Sequence, residues 1–147
     1  MSTSASTQRP AVRLAEISDQ PLRVEAVLDA LDDPASGGLV LFVGRVRDHD
    51  GGAGVTGLEY AAHPSAAARL GEVCAAVAQE YDVSVAAVHR VGDLAIGDAA
   101  VLVATCSAHR GASFEASRVL IDRLKAEVPI WKHQLFADGT EEWVGAP

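Results

Sequence analysis

Pro129 sets two incompatible backbone geometries against each other near the end of this 147-residue chain. The residue before a proline is driven out of the α region, so a helix reaching that point stops and the chain leaves it extended. Upstream, a helix starts near 110–113 and runs to about Ala126, with Phe114, Leu120, Ile121 and Leu124 as its apolar side. Downstream, residues 130–136 form an extended segment. Lys125 falls in the last helical turn, and Lys132 on the extended segment, on the face opposite Trp131 and His133. The two are 132 − 125 = 7 residues apart, and the helix break between them can bring both amines to one cavity.

These are the only lysines in the chain; the other ten of its 12 Lys+Arg residues are arginine. A sequence that supplies its positive charge with Arg, yet keeps two amines, points to positions where Arg will not serve. A lysine amine can be tuned to act as base or nucleophile, whereas guanidinium stays protonated.

The net charge of −8 argues against a nucleic-acid surface, so any basic pocket is local and suits a small anion. Cys74 and Cys106 have neither zinc nor redox spacing and read as buried structural residues. The five histidines show no ligand spacing, so no metal is expected. No apolar run is long and charge-free enough for a membrane span. Residues 1–10 lack a signal-peptide core and read as a disordered tail of a cytoplasmic protein, ahead of a single domain over 11–147.

Along the chain, residues 11–17 suggest a first strand. A helix follows from Pro21, capped by Ser18 or Asp19, with Val24, Val27, Leu28 and Leu31 at helical spacing. Residues 39–43 are a dense β-branched and aromatic strand that continues to Arg47, with Arg45 and Arg47 on one face and Val46 on the other. A Gly-rich stretch over 48–54 reads as a mobile loop, and 55–62 as the next strand. A second helix begins at Pro64-Ser65 and carries the stripe Leu70, Val73, Cys74, Val77 and Tyr81. Strands follow at 83–91 and 99–106, separated by a turn region, and a short one closes the chain at Trp143-Val144. Without strict β-α-β alternation, this favours an α+β domain with a mainly antiparallel sheet and packed helices.

His109 and Arg110 stand where a strand delivers the chain to a helix N-terminus, a place that favours an anion. Arg47 beside the Gly-rich stretch is a second candidate anion contact. No Ser-His-Asp triad, Walker loop or dinucleotide fingerprint is present.

Phe42-Val43-Gly44-Arg45-Val46-Arg47, Leu58-Glu59-Tyr60, His89-Arg90-Val91-Gly92-Asp93-Leu94, Ser107-Ala108-His109-Arg110, and Leu124-Lys125 followed by Pro129-Ile130-Trp131-Lys132 recur in a known order and spacing. The stretch from Gly38 to Val144 resembles the large, catalytic subunit of molybdopterin synthase. The resemblance implies a hammerhead-type α+β fold and a homodimer of large subunits within a heterotetramer. It implies a small ubiquitin-like sulfur-carrier partner whose Gly-Gly tail ends in a thiocarboxylate. It also implies a sulfurtransferase that places two sulfurs on cyclic pyranopterin monophosphate to make the molybdopterin dithiolene. By position, Lys125 and Lys132 correspond to the catalytic lysines. Arg47, His109 and Arg110 correspond to anion- and pterin-binding residues, with Phe42 shaping the pocket. The thiocarboxylate supplies the sulfur, so no cofactor is expected. Arg45, His63, Ile121 and His133 depart from the residues usual at those places, which puts secondary charge contacts and pocket shape in question. The alternatives are a non-catalytic module that binds a ubiquitin-like tail or a phosphorylated metabolite, and an unrelated phosphate-dependent lyase.

Overall fold

The computed structural model describes residues 10–145. The expected disordered tail therefore lies outside the described residues, except for exposed Pro10. In chain order the elements are β1 (Val12–Ser18), α1 (Val24–Ala30), β2 (Gly38–Arg45), β3 (His49–Asp50), β4 (Ala53–Ala62) and α2 (Ala66–Tyr81). They continue with β5 (Ser84–Arg90), β6 (Gly92–Leu94), β7 (Ala99–Ser107), α3 (Arg110–Glu127), β8 (Ile130–Phe136) and β9 (Glu141–Val144).

Two sheets result. The first has the order β1-β5-β7-β2, parallel only between β1 and β5. Its central strands β5 and β7 are apolar on both faces because both are covered. On one face α2 and α3 bury Leu70, Val73, Val77, Leu120 and Leu124 against Val85, Ala87, Val101 and Val103. On the other, α1 packs Val27 and Leu31 on Ala86, Leu102, Ala104 and Cys106. Each fully buried Val or Leu contributes about 1.5–3 kcal/mol. The second sheet runs β3-β4-β8-β9, with β6 also paired to β4, and is antiparallel throughout. A small cluster of Val46, Leu58, Leu94 and Ala100 joins the two sheets.

The mixed α+β class and mainly antiparallel pairing agree with the sequence pattern. Some local expectations do not hold. The first helix begins at Val24, and Arg23 takes its cap position with no side-chain bond. Ser18 cannot cap it because it closes β1 opposite Arg90; its hydroxyl accepts from the Gln20 amide at 3.1 Å. The stretch expected as a loop over 48–54 is a hairpin: β3 pairs with the start of β4, and Gly51 and Gly52 turn with φ of 58° and 86°. Positive φ at both turn residues suits a tight hairpin, so these glycines are turn chemistry. Phe114 is 60% exposed and not part of the apolar side of α3, because Ser113, Ala116 and Ser117 take the sheet-facing positions. There, Thr105 donates its hydroxyl proton to the Ser113 carbonyl at 2.7 Å and accepts from Ser117 at 2.8 Å. The helix-sheet contact is thus partly polar, which a search for apolar spacing passes over.

Candidate active site between the two sheets

The strand run that starts at Leu39 ends in a bulge between Gly44 and Arg45. The alternation survives it. Val46 is 4% exposed and packs inward, while Arg45 and Arg47 both face a cavity of about 430 Å³. Phe42 lines the same cavity, as do Leu58 and Tyr60 from β4. Lys125 enters from the last turn of α3, and Lys132 and Gln134 from one face of β8.

Pro129 accounts for the meeting of the lysines. Helix α3 ends at Glu127 and Val128 is extended, with its amide donating to the Leu124 carbonyl at 3.0 Å. The chain then enters β8, where Lys132 pairs with Tyr60 and Gln134 with Leu58. Both amines also border a narrower cavity of about 150 Å³, lined by His89, Leu124, Val128, Ile130, Val144 and Gly145. Tyr60, Lys125 and Lys132 are common to the two cavities and form the wall between them.

Four basic side chains, Arg45, Arg47, Lys125 and Lys132, thus face one cavity in a chain of net charge −8. Lys125 is exposed to that cavity, yet the protein around its amine excludes enough water to make desolvation the main cause of a lowered pKa. The charges of Lys132 and Arg47 push it the same way. Arg110 takes no part in this. Removing the Lys132 charge relieves the ammonium form of Lys125, so in Lys132→Met the Lys125 amine titrates at higher pH. Chemical-shift titration of the Lys125 side chain in both proteins measures this; an unchanged titration contradicts the geometry.

His109 and Arg110 lie elsewhere. They are exposed and line a shallow depression with Gly37, Ala108 and Gly111. Arg110 begins α3 and Lys125 nearly ends it; 15 residues of helix are about 22 Å. The turn is seated on Gly38, where a Cβ would come within 2.8 Å of the Arg110 backbone, and Ser113 donates to the Gly38 carbonyl at 2.7 Å. Phe42, Arg47, Lys125 and Lys132 therefore share a cavity within one chain, and His109 and Arg110 do not.

The unusual residues separate likewise. Arg45 is at the cavity. His133 is on the far face of β8, stacked on Trp143 at 4.4 Å and facing Glu59 and Glu141. Ile121 packs at the margin of the main core. The His63 ring accepts from the Ser65 amide at 3.1 Å, outside the cavity wall. Cys74 and Cys106 are buried away from the site, and burial pushes the Cys74 thiol up to about 12. Sequence reasoning gave no role to Tyr60, His49 or Gln134, all at the cavity. The shared face of Leu58 and Tyr60 was open to period-two counting, but their pairing with β8 was not.

His89 closes the narrow cavity and is 5% exposed. Its Nδ1–H donates to the Arg90 carbonyl at 2.8 Å, and its ring meets Tyr60 edge-on at 4.8 Å. Burial above all, and Lys125 in addition, lower its pKa from 6.5 to about 4, although the carbonyl bond opposes the shift. The unfolded chain therefore binds a proton that the native chain refuses between those values. Stability falls as pH drops from 6.5 toward about 4, by up to about 3 kcal/mol from this residue. Urea unfolding across that range should show a shallower pH slope in His89→Gln; equal slopes would contradict a neutral buried imidazole.

The comparisons with known proteins fall in line with this geometry. The family model described as "MoaE protein" matches residues 17–127. The chain is 45% identical over 131 residues to molybdopterin synthase catalytic subunit 1 of Mycobacterium tuberculosis, covering 88% of each chain. It is 37% identical over 132 residues to the molybdopterin synthase catalytic subunit of Bacillus subtilis, covering 88% of this chain and 83% of that one. The crystal structure of molybdopterin synthase from Staphylococcus aureus superposes with a TM-score of 0.83 at 33% identity, covering 88% of this chain and 96% of that chain. The fold, the lysine-bearing cavity and these relatives agree: the chain belongs to the MoaE family, that of the molybdopterin synthase catalytic subunits.

Proposed function

We propose that the cavity between the sheets transfers sulfur from the thiocarboxylate tail of a small ubiquitin-like carrier to cyclic pyranopterin monophosphate, forming the molybdopterin dithiolene. The observation that carries this is the convergence of Lys125 and Lys132 on the wall between a wide basic cavity and a narrow, mostly apolar one. The wide cavity suits a phosphorylated pterin, with Arg45, Arg47 and Lys132 to hold anionic oxygen. The narrow cavity suits an extended glycine tail, which has no side chains to clash with Leu124, Val128, Ile130 and Val144. A thiocarboxylate reaching through it arrives between the two amines.

Lys125, with its lowered pKa, supplies a free lone pair there as general base or transient nucleophile. Lys132 stabilises negative charge developing on oxygen.

His109 and Arg110 fit this reading in a homodimer, where a second copy presents its α3 N-terminus to the wide cavity and adds the remaining phosphate contacts. Two such chains with a carrier at each end make a heterotetramer. Mixing Lys125→Arg with Arg110→Ala chains tests this. With substrate held well below the variants' KM, subunit exchange should restore the rate to about a quarter of wild type, since random pairing leaves one intact site in half of the dimers. No recovery despite proven exchange would place both residues in one chain's site.

A further inference from the structure

The β3–β4 hairpin carries a carboxylate toward the site that sulfur chemistry leaves without a role. Asp50, in β3, accepts a hydrogen bond from the Gln134 amide at 2.7 Å, spanning 84 residues of sequence. Its other oxygen faces the Arg47 guanidinium at 3.9 Å. Gln134 is 3% exposed and shares a face of β8 with Lys132, two residues away. Its amide needs a partner at that depth, and no other side-chain acceptor is bonded to it among the described residues. One carboxylate thus touches two residues of the cavity wall, Arg47 in the link between β2 and β3 and Gln134 on β8, and its hairpin holds His49 at the rim.

We propose that Asp50 is a positioning residue for the substrate cavity: its bond to Gln134 fastens the β3 arm of the hairpin, which the β4–β8 ladder does not reach, to β8 and sets Arg47 over the anion site. This rests on the functional reading above. The hairpin's backbone ties to its surroundings are few. The ladder between β4 and β8 starts at Val55, so the tip over 49–54 is held outside it by the Ala137 amide donating to the Gly54 carbonyl, while Val55 donates to the Asp48 carbonyl across the hairpin itself, each at 2.8 Å. The Gln134 bond, more than the nearby positive charges, lowers the Asp50 pKa, so the carboxylate remains ionised and a strong acceptor. As a charge alone, Asp50 would only weaken anion binding, because it opposes Arg47 and Lys132. Position and charge therefore predict opposite results when it is removed.

The test uses the full chain with thiocarboxylated carrier and cyclic pyranopterin monophosphate, reading KM and kcat separately. Asp50→Ala and Gln134→Leu should each raise substrate KM about 5- to 10-fold, less than the loss of a direct charge-assisted contact because the effect reaches the substrate through Arg47, with kcat within about twofold. Gln134→Glu sets two carboxylates together and should raise KM by more than about tenfold. Asp50→Asn combined with Gln134→Glu restores the bond with its donor and acceptor exchanged, and should return KM to within about threefold of wild type. A lower KM in Asp50→Ala would show that only its charge matters. No rescue by the exchanged pair would overturn the positioning role, and so would falls in thermal stability with KM unchanged. Absence of transfer by the wild type would defeat the functional reading instead. Hydrogen exchange at the Val55 and Ala137 amides then decides the latch: faster in Asp50→Ala and Gln134→Glu, and restored in the exchanged pair, or the proposal fails.

Discussion

Lys125→Arg folds normally, still binds the carrier protein, and transfers sulfur at least about 100-fold more slowly, the scale of general acid–base catalysis. Arginine keeps the charge and nearly the reach of lysine but cannot release its proton at working pH. In this chain, arginine stands at every Lys or Arg position except 125 and 132. The residue at 125 lies beside Lys132 and Arg47 in a partly desolvated wall, where a second cation is disfavoured and a neutral amine is stabilised. Lys132→Arg should lose less, since its work is to hold charge. Single-turnover sulfur transfer by both variants, with carrier binding measured in parallel, checks the pair. Near-wild-type transfer in Lys125→Arg would show that the amine serves only as a cation.

Arg110→Ala should lose about 1.5–3 kcal/mol of substrate binding, or roughly 10- to 150-fold in kcat/KM, as expected for a charge-assisted contact to phosphate. Most of the loss should fall on KM. The effect is informative because Arg110 is exposed and about 22 Å of helix away from Lys125 within its own chain. An isolated surface arginine contributes little to anything, so a large loss requires the depression at the start of α3 to meet a substrate. Steady-state kinetics with varied pterin substrate measures it. Unchanged affinity and turnover would remove Arg110 from the site.

How far the fold could be read from sequence depended on the range of the interactions involved. Pro129 and the run after it gave β8 its observed bounds, because a proline's effect on its neighbour is local and steric. The stripe from Leu70 to Val77 marked the buried face of α2 for the same reason: helical spacing is a property of the chain itself. The hairpin is not legible as one in the sequence because β3 has two residues, too few for a pattern, and its strand character comes from pairing with Gly54 and Ala53. Apolar spacing misplaces Phe114 because Ser113 and Ser117, whose carbonyl and hydroxyl respectively bond Thr105, occupy buried positions of α3 that apolar residues usually fill.

The site was legible in its parts and not in its arrangement. Lysine scarcity singled out Lys125 and Lys132, and period-two alternation placed Arg45 and Arg47 on one face. Arg110 lies outside the cavity of its own chain, because the length of α3 separates it from Lys125. Tyr60, His49 and Gln134 reach the cavity through the pairing of β4 with β8 and through Asp50, contacts between residues more than 70 positions apart. Such registers are set by tertiary packing and leave no mark in a local window.

The most direct measurement is incubation of this chain with thiocarboxylated carrier and cyclic pyranopterin monophosphate, reading molybdopterin by the fluorescence of its oxidised derivative. Sulfur transfer in the cavity predicts product that accumulates with two carrier thiocarboxylates consumed per dithiolene and that is abolished by blocking the lysine amines. Tight binding of carrier and pterin with no dithiolene formed would contradict it and leave a binding module in place of an enzyme.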